Sequence, residues 1–285
     1  MQALYDVAAP AKLNLFLHVA GRRPDGMHLL QSAFMLIDWC DTLHFELRPG
    51  GALSREDLAR PLPADDLVLR AARALQAASG TGLGAHISIE KRLPEQAGLG
   101  GGSSDAASCL LALNRLWGLG LDLPALARIG LALGADVPFF LGGRNAWVEG
   151  VGERLAPLDL PAARFVVVKP PQGLATAPVF GAPDLNRSSE PVIISGFAAN
   201  PYGFGRNDLE AVARRLCPGV GEALQWLGSQ GLQGRMTGSG SAVFSRMPDD
   251  RALQTAPAGW QVRICESLEA HPLVGWAPSD DSVGG

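Results

Sequence analysis

Pro94-Glu95-Gln96-Ala97-Gly98-Leu99-Gly100-Gly101-Gly102-Ser103-Ser104-Asp105-Ala106-Ala107 is the stretch on which the reading of this chain turns. Four of the five residues from 98 to 102 are glycine, and an apolar helical pattern starts directly after them. Backbone can therefore approach a ligand closely just where a helix offers its unpaired N–H groups. Such a helix start, with the macrodipole behind it, favours a phosphate. A tight turn capped by Ser103 would account for two of the glycines but not for all four. No Gly-Lys-Ser/Thr closes the loop as a Walker A motif requires, and Arg92, Pro94 and Gln96 stand between the preceding strand and the glycines, which a Rossmann turn does not allow. The His-Arg-Asp and Asp-Phe-Gly motifs of protein kinases are also absent. The loop belongs to another phosphate-binding class.

Outward from the loop, strand and helix alternate without βαβ regularity. Upstream, residues 85–90 alternate as a strand, and Asp65-Asp66 caps a helix running to about residue 78. Earlier still, Leu13, Leu15, Leu17 and Val19 alternate with Lys12, Asn14, Phe16 and His18, which predicts a half-buried strand whose second face carries Lys12 and Asn14. Arg22-Arg23-Pro24-Asp25-Gly26 reads as a turn, followed by separate strands at 32–37 and 42–47. Downstream, Ser103-Ser104-Asp105 opens an amphipathic helix to about residue 117, and 122–133 is another with Pro124 in its first turn. The second half reads as a strand at 165–169, helices at 207–216 and 220–227, strands at 232–236 and 242–246, a helix near 249–255 and a strand at 260–265. That β-α-α-β-β-α-β order approaches a split βαβ sandwich. A Pro/Ala/Asp stretch at 156–163 places a domain boundary near residue 161, giving domains 1–160 and 161–285, with a frayed tail at 279–285.

Composition narrows the function classes. The chain has 285 residues, 47% apolar and 18% charged, with 35 Gly and 21 Pro, which suits a folded protein rich in tight turns. Its net charge of −4 supplies no positive field for a polyanion, so no nucleic-acid partner is expected. Cys40, Cys109, Cys217 and Cys265 are far apart with no C-x-x-C pair, and Cys109 reads as a core hydrophobe, which suits a reducing compartment. The N-terminus lacks a basic n-region and the apolar stretch 129–141 is broken by Gly134, Asp136 and Pro138. A cytoplasmic protein with no membrane partner is expected.

Two further motifs have plain structural readings beside functional ones. Thr237-Gly238-Ser239-Gly240-Ser241 lies between two strands and could be a hairpin turn with Gly at positive φ. Asp136, within Gly134-Ala135-Asp136-Val137-Pro138, is placed to cap the short segment 137–141. Lys12 draws attention because Pro10, Ala11 and Leu13 around it give a charge little reason to be there.

Taken together and in order, Pro10-Ala11-Lys12-Leu13-Asn14-Leu15, the glycine loop with Ser103-Ser104, Gly134-Ala135-Asp136-Val137-Pro138 and Thr237-Gly238-Ser239-Gly240 resemble the blocks of the GHMP small-molecule kinases. Pro10 to Leu17, Arg23-Pro24-Asp25-Gly26-Met27-His28 and Asp41-Thr42-Leu43 resemble, more narrowly, the branch that acts on a cytidyl-methylerythritol in the non-mevalonate route to isoprenoid precursors. The resemblance covers nearly the whole chain and is weakest at 186–206 and in the tail. It implies an α+β fold, with a ribosomal S5 domain 2-like N-terminal domain, a ferredoxin-like C-terminal domain and the active-site cleft between them.

The resemblance also implies roles. Pro94, Gly98, Leu99, Gly100, Gly101, Gly102, Ser103 and Ser104 would wrap the phosphates of ATP, Lys91 would lie near the nucleotide, and Ser103 or Ser104 would reach Mg²⁺. Asp136 would take the proton of the tertiary 2-hydroxyl, and Lys12 would stabilise the developing negative charge. Asn14, Met27, His28, Thr176, Phe180, Gly238, Ser239 and Gly240 would contact the substrate, with Met27 and Phe180 flanking the cytosine. The family usually carries Tyr at the position of Met27 and Asn at that of Asp66. Rival readings are a kinase for another alcohol and a non-catalytic nucleotide- or RNA-binding protein on the same fold.

Overall fold

The computed structural model describes residues 1–248 and 252–279. Its spine is two long antiparallel strands, β1 (Ala3–Arg22) and β2 (His28–Arg48), joined by the Pro24-Asp25-Gly26 turn, where Gly26 takes φ +89°. There follow β3 (Leu53–Asp57), α1 (Leu67–Ser79), β4 (Gly84–Glu90), α2 (Gly101–Leu116), α3 (Leu123–Leu133), α4 (Val137–Gly142), β5 (Ala146–Gly150) and β6 (Arg154–Pro157). The second half runs β7 (Arg164–Lys169), α5 (Thr176–Phe180), α6 (Ile194–Ala198), α7 (Glu210–Leu216), α8 (Pro218–Ser229), β8 (Arg235–Met236), β9 (Val243–Arg246) and β10 (Gln261–Leu268). One path of strands, β3-β4-β2-β10-β7-β9-β8, crosses both halves, with β1 and β5 also paired to β2. The crossing point is the pairing of Ser267 and Leu268 with Ile37 and Leu36.

Helix starts obey local capping chemistry. Asp66 Oδ1 accepts from Leu69 N at 3.1 Å to begin α1, and Gly80 ends it in the left-handed region. Asp122 Oδ1 accepts from Ala125 N at 2.8 Å to begin α3, with Pro124 in the first turn. Among the described residues no helix is long and apolar enough to cross a membrane.

Several expectations need correction. β1 is not half-buried: Lys12, Asn14, Phe16 and His18 are as buried as Leu13 and Leu15. Two loops close its open edge, Lys12 N donating to Leu99 O at 3.0 Å and Asn14 N to Thr237 Oγ1 at 2.9 Å. They also roof its polar face, where a Cβ on Gly100 would meet Lys12 Cγ at 3.2 Å and one on Gly238 would meet Asn14 Oδ1 at 3.3 Å. The two strands expected at 32–37 and 42–47 are one: β2 runs on through an irregularity between Ile37 and Cys40, and Asp41, paired in register with Ala9, accepts from Arg92 N and Leu93 N instead of ending the strand. α2 begins two residues before Ser103 and is buried on nearly every side, so it is a central helix and not an amphipathic one. It packs between the sheet and α1, α3 and α4. The helix near 249–255 is absent at its described residues, 252–255: Gln254 N is taken by Gln230 Oε1 at 2.8 Å, which leaves that donor unavailable to a helix. Residues 249–251, and the expected tail beyond 279, lie outside the described residues. Unforeseen elements are β3, β5, β6 and α6.

Candidate active site

A cavity of about 810 Å³ lies where the glycine loop meets the 237–241 turn. The two loops are stitched together by backbone: Ser241 N donates to Gln96 O at 3.0 Å and Ala242 N to Ala97 O at 3.1 Å. Glycine is required at this seam. A Cβ on Gly98 (φ +72°) would sit 2.2 Å from Thr237 O, and one on Gly238 (φ +54°) would sit 2.8 Å from Gly98 O. The hairpin reading of the 237–241 turn is thus correct, and the same turn also walls the cavity through Gly238, Ser239 and Gly240.

Lys12 and Asp136 come together on the cavity wall. Lys12 Nζ lies 3.5 Å from Asp136 Oδ2, with the lysine side chain 4% exposed and the aspartate 31%. Asn14 Oδ1 also accepts from Nζ, and the ammonium stands 4.3 Å over the Phe34 ring. Asn14 is held in that sense because its Nδ2 donates to Ser32 Oγ at 3.0 Å, which in turn donates to Phe16 O. Burial pulls the Lys12 pKa below the ordinary lysine value, with the Asp136 carboxylate opposing. Asp136 occupies the N-cap position of α4 but makes no capping bond. Its carboxylate is turned to Lys12 and the cavity, so the capping reading of Asp136 fails.

The start of α2 faces the same cavity. Gly100, at φ +75°, precedes it with no side-chain cap, and a Cβ there would meet Phe140 at 2.9 Å and Lys12 Cγ at 3.2 Å. Pro94, Gly98, Leu99, Gly100, Gly101, Gly102 and Ser103 all line the cavity. Ser104 does not: it is fully buried, its Oγ donates to Pro10 O at 2.7 Å and its N–H to Gly100 O. That corrects its placement on the phosphates and leaves Ser103 as the hydroxyl at this wall.

Lys91 lines the cavity but is already paired. Its Nζ donates to Asp41 and to Asp105, both buried. Burial lowers its pKa, but the carboxylates of Asp105 and Asp41 outweigh that and raise it overall. Burial pushes the Asp105 carboxyl up to about 8, with Lys91 opposing and Asp41 adding to the rise. Its Oδ1 has no partner among the described residues. One cation between two dry carboxylates leaves the second holding its proton.

At the far end His28 and Phe180 pack ring to ring, centroids 5.0 Å apart and planes at 42°. Met27 is exposed at 47% beside them, and Thr176 Oγ1 lies 2.9 Å from Ser239 Oγ. Asp66 is absent from the wall, being occupied by its cap and by Arg55 Nη1 at 2.6 Å. Two residues escaped the sequence reading. Phe34 looked like any core position of an apolar strand, and Arg187, whose Nε donates to His28 Nε2 at 3.0 Å, sits in the stretch 186–206, where no local pattern marks it.

Comparison with known proteins places this geometry. Residues 66–144 match the model of the GHMP kinases N terminal domain, and residues 195–261 match that of GHMP kinases C terminal. A protein of Albidiferax ferrireducens named 4-diphosphocytidyl-2-C-methyl-D-erythritol kinase is 69% identical over 285 residues, covering 100% of this chain and 99% of its own. One of Paracidovorax citrulli with the same name is 64% identical, covering 99% and 100%. A crystal structure of 4-(cytidine 5'-diphospho)-2C-methyl-D-erythritol kinase superposes with a TM-score of 0.72 at 39% identity, over 84% of this chain and 88% of that one. A homoserine kinase of Cytophaga hutchinsonii matches at a TM-score of 0.68 and 15% identity over 95% and 96%, a likeness of fold alone.

Proposed function

Because the chain belongs to the 4-diphosphocytidyl-2-C-methyl-D-erythritol kinases of the GHMP family, we propose that it transfers the γ-phosphoryl group of ATP to the 2-hydroxyl of that cytidyl-methylerythritol. ADP and the 2-phosphate are the products, in the non-mevalonate route to isoprenoid precursors. One observation carries the assignment of the site: a buried lysine and a partly exposed carboxylate 3.5 Å apart, beside an uncapped helix N-terminus.

A free alcohol is a weak nucleophile, and phosphoryl transfer needs it positioned and relieved of its proton. Asp136 accepts that proton as the bond from oxygen to phosphorus forms and the bond from phosphorus to the bridging oxygen of ADP breaks. Lys12 offsets the negative charge on the hydroxyl oxygen and keeps Asp136 ionised. Asn14 and Ser32 hold Lys12 in place from behind. The glycine loop and the first N–H groups of α2 bind the phosphates, where neither side chains nor a cap compete. Lys91 supports the loop from beneath. His28, Phe180, Met27, Thr176 and the 238–240 turn form the cytidyl end of the cavity.

Magnesium, bound with ATP, supplies charge screening at the phosphates. Among the described residues no group of three or more His, Cys, Asp or Glu could hold a metal. The oxygen donors at this wall, Ser103 and Asp136, therefore fit a cation that is ligated chiefly by phosphates and water. We place the ATP-binding and catalytic domain at 1–160 and the C-terminal domain at 161–285, and the protein in the cytoplasm, where its four free cysteines suit a reducing compartment.

A coupled assay of ADP release across the cytidyl-methylerythritol, homoserine and mevalonate tests the reading. Turnover should require the cytidyl substrate. Equal turnover of homoserine or mevalonate would move the chain to another branch of the family.

A further inference from the structure

Arg187 reaches across from the stretch after α5 and donates from Nε to His28 Nε2 at 3.0 Å. Three of its four remaining donors go to backbone: Nη2 to Phe180 O at 2.9 Å and Ala182 O at 2.7 Å, and Nη1 to Leu185 O at 3.1 Å. The guanidinium is thereby locked to the turn that also carries Phe180, the ring packed on His28. An arginine can only donate, so Nε2 must be the unprotonated nitrogen of His28. A neutral imidazole carries one proton, and the hydrogen bond at one nitrogen sets the state of the other. Burial holds the His28 pKa below the ordinary histidine value, and the charges of Arg187 and Arg22 push it the same way, so the ring is neutral at physiological pH. The proton therefore sits on Nδ1, which has no protein partner among the described residues on a ring that lines the cavity.

A fixed donor on this wall has a consequence for the base. Cytosine presents a bare acceptor at N3, whereas uracil carries N–H there and would set donor against donor. We infer that Arg187 is a positioning residue that fixes His28 as the Nδ1–H tautomer and so makes this pocket select cytosine over uracil. The inference rests on the proposed cytidyl substrate and names how that base is chosen. A site built to hydrogen-bond one group rejects the analogue that lacks it far more strongly than an apolar pocket can.

Two measurements test it. In protein carrying ¹⁵N-histidine at pH 8, long-range ¹H–¹⁵N correlations should show His28 protonated on Nδ1 and bare on Nε2, its signals identified among the five histidines by their loss in His28→Gln. A proton on Nε2 overturns the inference without any change to Arg187. By calorimetry the wild-type protein should bind CDP more tightly than UDP by about tenfold or more. Arg187→Met should shrink that ratio towards one, mainly by weakening CDP, and Arg187→Lys, which keeps a charge and a donor, should restore part of it. An unchanged ratio in Arg187→Met, with its melting temperature and ATP affinity intact, overturns the inference and leaves the kinase assignment standing. If Arg187→Met melts, the tautomer in the wild-type protein decides alone. Wild-type protein that binds ATP but neither CDP nor UDP would remove the cytidyl substrate and the inference with it.

Discussion

Lys12 and Lys91 lie under neighbouring glycines of one loop: a Cβ on Gly100 would meet Lys12 Cγ at 3.2 Å, and one on Gly101 would meet Lys91 Nζ at 3.6 Å. Lys91 is saturated. Two buried carboxylates hold it, and its pKa is raised despite burial. Lys12 has one carboxylate, 3.5 Å away and open to the cavity, and burial lowers its pKa. A saturated cation has little field left for a ligand, whereas an under-compensated one gains by stabilising new negative charge. The two clusters therefore divide the work: Lys91 with Asp41 and Asp105 shapes the loop, and Lys12 with Asp136 meets the reacting hydroxyl.

Breaking the structural cluster should have the largest effect. Lys91→Met leaves the buried Asp41 carboxylate without a counter-charge, beside the protonated Asp105, and should cost about 3–5 kcal/mol in denaturant unfolding. A stability near wild type would mean that Lys91 is held for the nucleotide and not for the fold. Next comes Asp136→Asn, which keeps size and loses the base; kcat should fall about 10²-fold or more while ATP affinity holds.

The two lysines should also separate by pH. In wild-type protein, kcat/KM should decline at high pH as Lys12 loses its proton, with a midpoint below the ordinary value of 10.5. Lys12→Met should be slow throughout and lack that decline. The smallest effect is expected from Asp105→Asn. The folded state holds a proton on Asp105 up to about pH 8, while the unfolded chain releases it near the ordinary carboxyl value. Folding thus takes up a proton, and stability is lost as pH rises from the carboxyl range through about 8. Asp105→Asn should flatten that slope and raise the melting temperature at pH 8 by about 2–4 °C. A slope identical to wild type would show that Asp105 is ionised in the fold.

Much of this contrast was legible in the sequence, because its parts are local. The glycines, the small residues after them, and Asp66 and Asp122 as helix caps follow from φ/ψ and hydrogen bonding within a few residues. The GHMP resemblance brought Lys12 and Asp136 to one site across more than a hundred residues. What stayed hidden depends on tertiary contact. Period-two alternation in β1 cannot reveal that its polar face is roofed by loops from both halves, so Lys12 and Asn14 looked half exposed. The continuity of β2 between the strands expected at 32–37 and 42–47 was hidden because Lys91, which holds Asp41 in the fold, is fifty residues away in the chain. Ser104 looked like part of a phosphate loop until Pro10 O was seen to take its hydroxyl. Arg187 carries no local pattern at all, since its meaning lies in one nitrogen of His28.

The division of labour is tested most directly by a double-mutant cycle on kcat with Lys12→Met, Asp136→Asn and the two together, at saturating ATP and cytidyl-methylerythritol. If the pair acts as one device on one hydroxyl, the double variant should turn over within about threefold of the slower single variant. Losses that multiply, with the double variant slower by the product of the two single effects, would contradict the account and make Lys12 and Asp136 independent contributors.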